Sequence, residues 1–79
     1  MKIEVRLYAG LLAPSVGSSN EAALVTVAAG MTLSDLISHL GIQPDLVHLA
    51  IVNGRILHDR AERLADGDRV ALFPPIGGG

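Results

Sequence analysis

Only one stretch of this chain carries the apolar spacing of a helix. Leu33, Leu36, Ile37 and Leu40 fall on one face, with Ser34, Asp35, Ser38 and His39 largely opposite. Thr32 is placed to cap its start, Asp35 three residues on completes a reciprocal cap and favours the positive end of the dipole, and Gly41 is placed to end it. About ten residues rising 1.5 Å each give a helix of roughly 15 Å, long enough to cross a small sheet once. Such a helix hardly persists alone, so packing must hold it. The chain has 79 residues, 49% of them hydrophobic, enough for one core near the size limit for a domain without a staple. With a single Phe and a single Tyr, that core must be built from Leu, Ile, Val and Ala.

The rest of the chain reads as strands. Lys2 to Tyr8 alternates strictly, Ile3, Val5 and Leu7 against Lys2, Glu4, Arg6 and Tyr8, which predicts a half-buried strand. Ala9 to Asn20 is rich in turn formers and reads as a long loop with a turn of helix at Leu11-Leu12-Ala13. Ala22 to Ala28 predicts a second strand, antiparallel to the first and broken by Gly30. After a link through Pro44, His48 to Val52 predicts a third strand, Asn53-Gly54 a tight hairpin turn, and Arg55 to His58 a short fourth strand. Ala61 to Ala65 is a connection, Asp66-Gly67-Asp68 another turn, and Arg69 to Phe73 a last strand apolar enough to lie inside the sheet. Pro74 and Pro75 lack amide donors and end the ladder. The predicted fold is α+β, a β-grasp or ubiquitin-like domain with a mixed four- to five-stranded sheet, one main helix across one face, and a closing strand parallel beside the first. A ferredoxin-like alternative needs a second helix, and Asp59 to Ala65 is too short for one. Residues 1–73 are expected to form one domain, with 74–79 an extended flexible tail.

Charge and composition narrow the function. A formal net charge of −2 without a basic run gives no footprint for nucleic acid. The chain has no cysteine, so disulfides, a thiolate nucleophile and a thiolate metal site are all excluded. The N-terminal alternation is unlike a signal peptide, and no run approaches a membrane span, which points to a cytoplasmic protein. His39, His48 and His58 match no local metal motif, so no metal site is expected. No serine has a histidine and an acid at suggestive spacing, and so small a fold offers little pocket for substrate, so catalysis by this chain alone is not expected.

The chain stops on Pro74-Pro75-Ile76-Gly77-Gly78-Gly79. Glycine loses more backbone freedom on ordering than any other residue, so a run of three past the last apolar strand is expected to stay mobile in solution. A carboxylate on such an arm can enter a narrow active site on another protein, where any Cβ clashes. A frayed terminus is the plain alternative.

The run Leu64-Ala65-Asp66-Gly67-Asp68-Arg69-Val70-Ala71-Leu72-Phe73-Pro74-Pro75-Ile76-Gly77-Gly78-Gly79, with Val52-Asn53-Gly54 upstream, resembles the MoaD/ThiS family of sulfur-carrier proteins. The C-terminal third carries the specific match, while the first half agrees only in pattern. The third terminal glycine departs from many molybdopterin-type members and occurs among thiazole-type relatives. The resemblance implies that a partner adenylyltransferase, similar to ubiquitin-activating enzymes and using ATP and magnesium, converts the Gly79 carboxylate to an acyl adenylate. A sulfur donor then leaves a thiocarboxylate there. No cofactor is expected on this chain, which has no phosphate loop. The acceptor implied first is a molybdopterin synthase, with this chain as its small subunit in a possible heterotetramer, and thiazole formation for thiamine next. Phe73, Pro74, Pro75, Ile76, Gly77 and Gly78 are the expected partner-binding residues, Phe73 and Ile76 as apolar anchors. Phe73 is equally placed to be the core's one large aromatic, because alternation does not say which face of the last strand is buried. Arg55, Arg60, Arg63 and Arg69, with Asp66 and Asp68, read as ordinary solvated charges, with charge complementarity to a partner as the alternative. Two other functions share the same features: a protein modifier conjugated through Gly79, and a non-covalent ubiquitin-like interaction module.

Overall fold

The computed structural model describes residues 1–8 and 22–75. The loop expected over Ala9 to Asn20, with its turn of helix, and the tail from Ile76 to Gly79 lie outside them. Alternation in the first segment produces β1 (Lys2–Leu7), whose Ile3, Val5 and Leu7 are buried. It pairs antiparallel with β2 (Ala23–Thr26), Lys2 opposite Thr26 and Val5 opposite Ala23. The helix α1 (Leu33–His39) follows, then a 3₁₀ turn (Pro44–Leu46), β3 (Leu49–Val52), β4 (Arg55–Ile56) and β5 (Arg69–Phe73). The five strands form one sheet in the order β2-β1-β5-β3-β4. β5 runs parallel to β1 and antiparallel to β3, so the last strand in sequence is the middle one in space. The β-grasp expectation holds, with five strands and a mixed sheet.

Helix α1 is short because both ends are closed by local chemistry. Thr32 Oγ1 accepts from the Asp35 amide at 3.1 Å, and the Asp35 carboxylate accepts from the Thr32 amide at 3.2 Å, a complete capping box. The amides of Leu33 and Ser34 donate to the carbonyls of Glu62 and Arg60, so the first turn is satisfied by the connection that precedes β5. That connection turns at Arg60 to Glu62 and then lies along the helix start, with Thr32 bridged to Arg63 and the Leu64 amide bonded to the Met31 carbonyl, which leaves no length for a second helix. At the other end Gly41 has φ +80°, its amide donates to Ser38, and the Ile42 amide donates back to Ile37. This paired arrangement requires the left-handed residue that glycine adopts without strain.

Leu33, Leu36, Ile37 and Leu40 pack with Ile3, Val5, Leu7, Val70 and Leu72 in one aliphatic cluster that contains no buried polar side chain among the described residues. Each such side chain contributes about 1.5–3 kcal/mol on burial, most of it offset by the entropy of ordering the chain. Strand ends differ from the sequence-based bounds by at most two residues, and β5 matches them. β2 ends at Thr26, although Met1 and Val27 still exchange backbone hydrogen bonds and Val27 continues the alternation into the core. His48 stands outside β3, although its amide donates to the Phe73 carbonyl at 2.8 Å. β4 keeps only two residues, after which one bond from the Leu57 amide to Ala50 continues the pairing. Asn53 and Gly54, at φ 53° and 82°, make the tight turn their dipeptide predicts.

Candidate functional site

The tail leaves from the middle of the sheet. Hydrogen bonding along β5 continues through Phe73, whose carbonyl accepts from His48, and Pro74 then offers no donor. Pro74 is half-buried and Pro75 exposed. Ile76, Gly77, Gly78 and Gly79 lie outside the described residues, so the structure leaves their expected roles open.

The parallel register decides the face of β5. Val70 and Leu72 point into the core under α1, and Arg69, Ala71 and Phe73 point to the opposite, open face. Phe73 is therefore not the core's aromatic. It lies half-buried against Tyr8, the rings stacked with centroids 4.6 Å apart and planes 10° from parallel. Leu7 pairs with Leu72, and the Tyr8 amide donates to the Leu72 carbonyl at 3.1 Å, which brings the two rings side by side. Such a pair is worth about 0.5–1.5 kcal/mol beyond the area it buries.

Around this stack the open face is largely apolar. Leu49 is opposite Phe73, Ile51 opposite Ala71, and Ile56 on β4 opposite Ile51. Ile56 is 52% exposed and Leu24, on the far edge, 72%. Single exposed apolar residues are ordinary, but a contiguous row beside a tail exit is the kind of surface that marks a protein contact. Arg6, Glu4 and Arg69 separate this row from Leu24, and between them lies an open recess of about 200 Å³ bordered also by Ile51 and Ala71.

The base of the site is fastened at the opposite end of β5. Asp68 accepts from the Ala65 amide at 2.8 Å and from Asn53 Nδ2 at 2.9 Å, while Asn53 Oδ1 accepts from the Arg69 amide at 2.9 Å. Asp66 accepts from the Lys2 amide at 2.6 Å. The Asp-Gly-Asp turn thus ties β5 to β1 and to the Asn53-Gly54 hairpin. Arg60, read from sequence as a solvated charge, donates to the carbonyls of Pro44 and Val47 and clamps the 3₁₀ turn. His39, His48 and His58 are exposed, and among the described residues no three His, Asp or Glu side chains converge as a metal site.

Sequence reasoning placed Phe73, Pro74 and Pro75 at the site and missed Tyr8, Leu49, Ile51 and Ile56. A strict alternation in Lys2 to Tyr8 put Tyr8 on the polar face, and only the pairing of β1 with β5 reveals its partner.

The sequence matches the ThiS family over residues 8–79. No curated protein matches it. Among solved structures it is similar to the HVO 2177 protein of Haloferax volcanii, with a TM-score of 0.77 and 28% identity over 100% of this chain and 87% of that one. It is also similar to small archaeal modifier protein 1 of H. volcanii, with a TM-score of 0.69 and 29% identity over 95% of this chain and 98% of the other. A chain from the complex of subunits 1 and 2 of the molybdopterin-converting factor of Helicobacter pylori 26695 shares the fold, with a TM-score of 0.64 and 24% identity over 100% of both chains.

Proposed function

Because the chain belongs to the ThiS family of ubiquitin-like sulfur carriers, we propose that it carries sulfur as a thiocarboxylate on Gly79. The carboxylate attacks the α-phosphorus of ATP in a partner adenylyltransferase, where the partner holds the magnesium, and pyrophosphate leaves. A donor sulfur then displaces AMP from the acyl carbon; where the donor is a persulfide, the acyl disulfide formed is cleaved by a second thiol, which ends as a disulfide with the donor cysteine and leaves the thiocarboxylate, and the thiocarboxylate passes its sulfur to an acceptor. This chain provides a slender arm and a docking face, and no site for ATP. Residues 74 to 79, extended at 3.3–3.6 Å each, reach roughly 20 Å. Pro74 and Pro75 favour an extended start, which lowers the ordering cost of insertion. In this reading Ile76 is an apolar anchor, and Gly77 and Gly78 keep the arm narrow.

One observation carries the proposal: the segment that ends in glycines continues the central strand, beside an exposed apolar face with the stacked Tyr8 and Phe73 at the exit. A partner gripping that face receives the arm at its edge. The acceptor proposed first is a molybdopterin synthase large subunit, with this chain as the small subunit; thiazole synthesis is next. We place this activity in the cytoplasm, and no helix among the described residues is long and apolar enough to cross a membrane.

Likeness to a small archaeal modifier protein favours a second reading, in which a target lysine amine displaces AMP and forms an isopeptide bond with Gly79. Intact mass of untagged protein from its own cells separates the two. A species heavier by one oxygen-to-sulfur exchange, mapped to Gly79 after alkylation, is expected. Only free carboxylate, with an adenylating partner, ATP and a sulfur source supplied, contradicts the carrier reading; a Gly79 branch on lysine peptides supports the modifier.

A further inference from the structure

We infer that the recess between Arg6 and Arg69 receives a side-chain carboxylate of the adenylating partner, an inference that rests on the carrier reading above. Register builds the recess. Arg6 is opposite Ala71, and Glu4 is opposite Arg69, on the adjacent parallel strands β1 and β5. The small Ala71 side chain leaves a gap between the two arginines, and Ile51 and Gly54 complete its border. Gly54 is held at φ +82° by the hairpin, so this border stays free of a side chain for a conformational reason of its own.

Charge selects the occupant. The whole protein carries a net charge of −2. On the open face of β1 and β5, however, Lys2, Arg6 and Arg69 are opposed by Glu4 alone. An anionic group is drawn to this spot and repelled by most of the remaining surface. A guanidinium offers paired N–H donors whose geometry suits a carboxylate.

Two features favour a protein side chain over a small free anion. β5 is the central strand, so its amides are committed to the ladders with β1 and β3, and no cluster of free N–H groups is left to cradle a phosphate. The recess also merges with the apolar row of Ile51 and Ile56. A carboxylate set among apolar side chains on a partner covers both at once and orients the docked body with its tail exit fixed. Glu4 opposes the wrong placement, as a specificity device does.

Pyrophosphate exchange by the adenylating enzyme of the source organism, measured against concentration of the full-length protein, tests this. Arg6→Glu and Arg69→Glu each raise KM about 10-fold or more, with kcat little changed. Glu4→Gln lowers KM up to about 3-fold, a gain that misfolding does not produce. Urea midpoints of the variants track the wild type. Wild-type KM rises with salt, and that of Arg69→Glu rises less. KM values of the charge-reversal variants within about twofold of wild type overturn the inference. It is also overturned if, in the isolated protein, inorganic phosphate or rising protein concentration shifts the amide signals of Gly54 and Ala71, which point to a small anion or a second copy. Absence of exchange with wild-type protein overturns the carrier reading as well, so the two failures are distinct.

Discussion

Asp68 accepts hydrogen bonds from the Ala65 amide and the Asn53 side chain, and Asn53 in turn accepts from the Arg69 amide. Replacing Asp68 with Ala leaves two exposed donors to water and is expected to cost about 0.5–1.5 kcal/mol. A lowered urea midpoint at unchanged m-value measures it. With Asn53→Ala, the double variant falls short of the sum of the single effects, since both act on one network. This role was hidden in the sequence, where Asp66-Gly67-Asp68 is turn chemistry and nothing more. The same holds for Arg60, which reads as a surface charge and proves to hold the carbonyls of Pro44 and Val47. Local signals such as Asn53-Gly54 are legible because the backbone imposes them within two residues, while partners fifteen residues away depend on topology.

At the scale of elements, β5 has two faces with separate duties. Leu72 is fully buried and Phe73, its neighbour, lies on the open face. Leu72→Ala is expected to cost 2–5 kcal/mol, a large part of the roughly 4–12 kcal/mol available to a domain of this length. Phe73→Ala costs about 1–2 kcal/mol through lost stacking and partial burial. It leaves the fold intact, and it weakens capture by the adenylating enzyme. Paired urea titrations and KM measurements on the two variants check this division. The helix and its caps were legible because the caps are written in adjacent residues, although the element between them has seven residues rather than about ten. Strand ends were not, since a strand extends only as far as its neighbour does, and the short reach of β4 is a property of the pair. Which side of β5 faces the core was likewise undecidable from alternation and is settled by register with β1.

For the whole molecule, body and tail are expected to be separable. Deleting Gly78 and Gly79 is expected to leave the thermal midpoint unchanged and to abolish both thiocarboxylate and conjugate formation, which circular dichroism and intact mass report side by side. A retained biological function after that deletion favours a non-covalent interaction module instead. The closing strand's parallel place beside the first was anticipated from the patterns, because one helix and a closing apolar strand leave few ways to cover a single core, while the pairing of β5 with β3 emerges only in the structure. The same order also governs how the protein is made. β1 with β2 and β3 with β4 are two separate pairs until residues 69–73 are inserted between them. A ribosome that stalls or a message that is cut before that point releases two unjoined hairpins and no sheet. Such fragments lack the open face and its aromatic ledge, so on the carrier reading proposed above an activating enzyme that grips this surface is shielded from unfinished translation products.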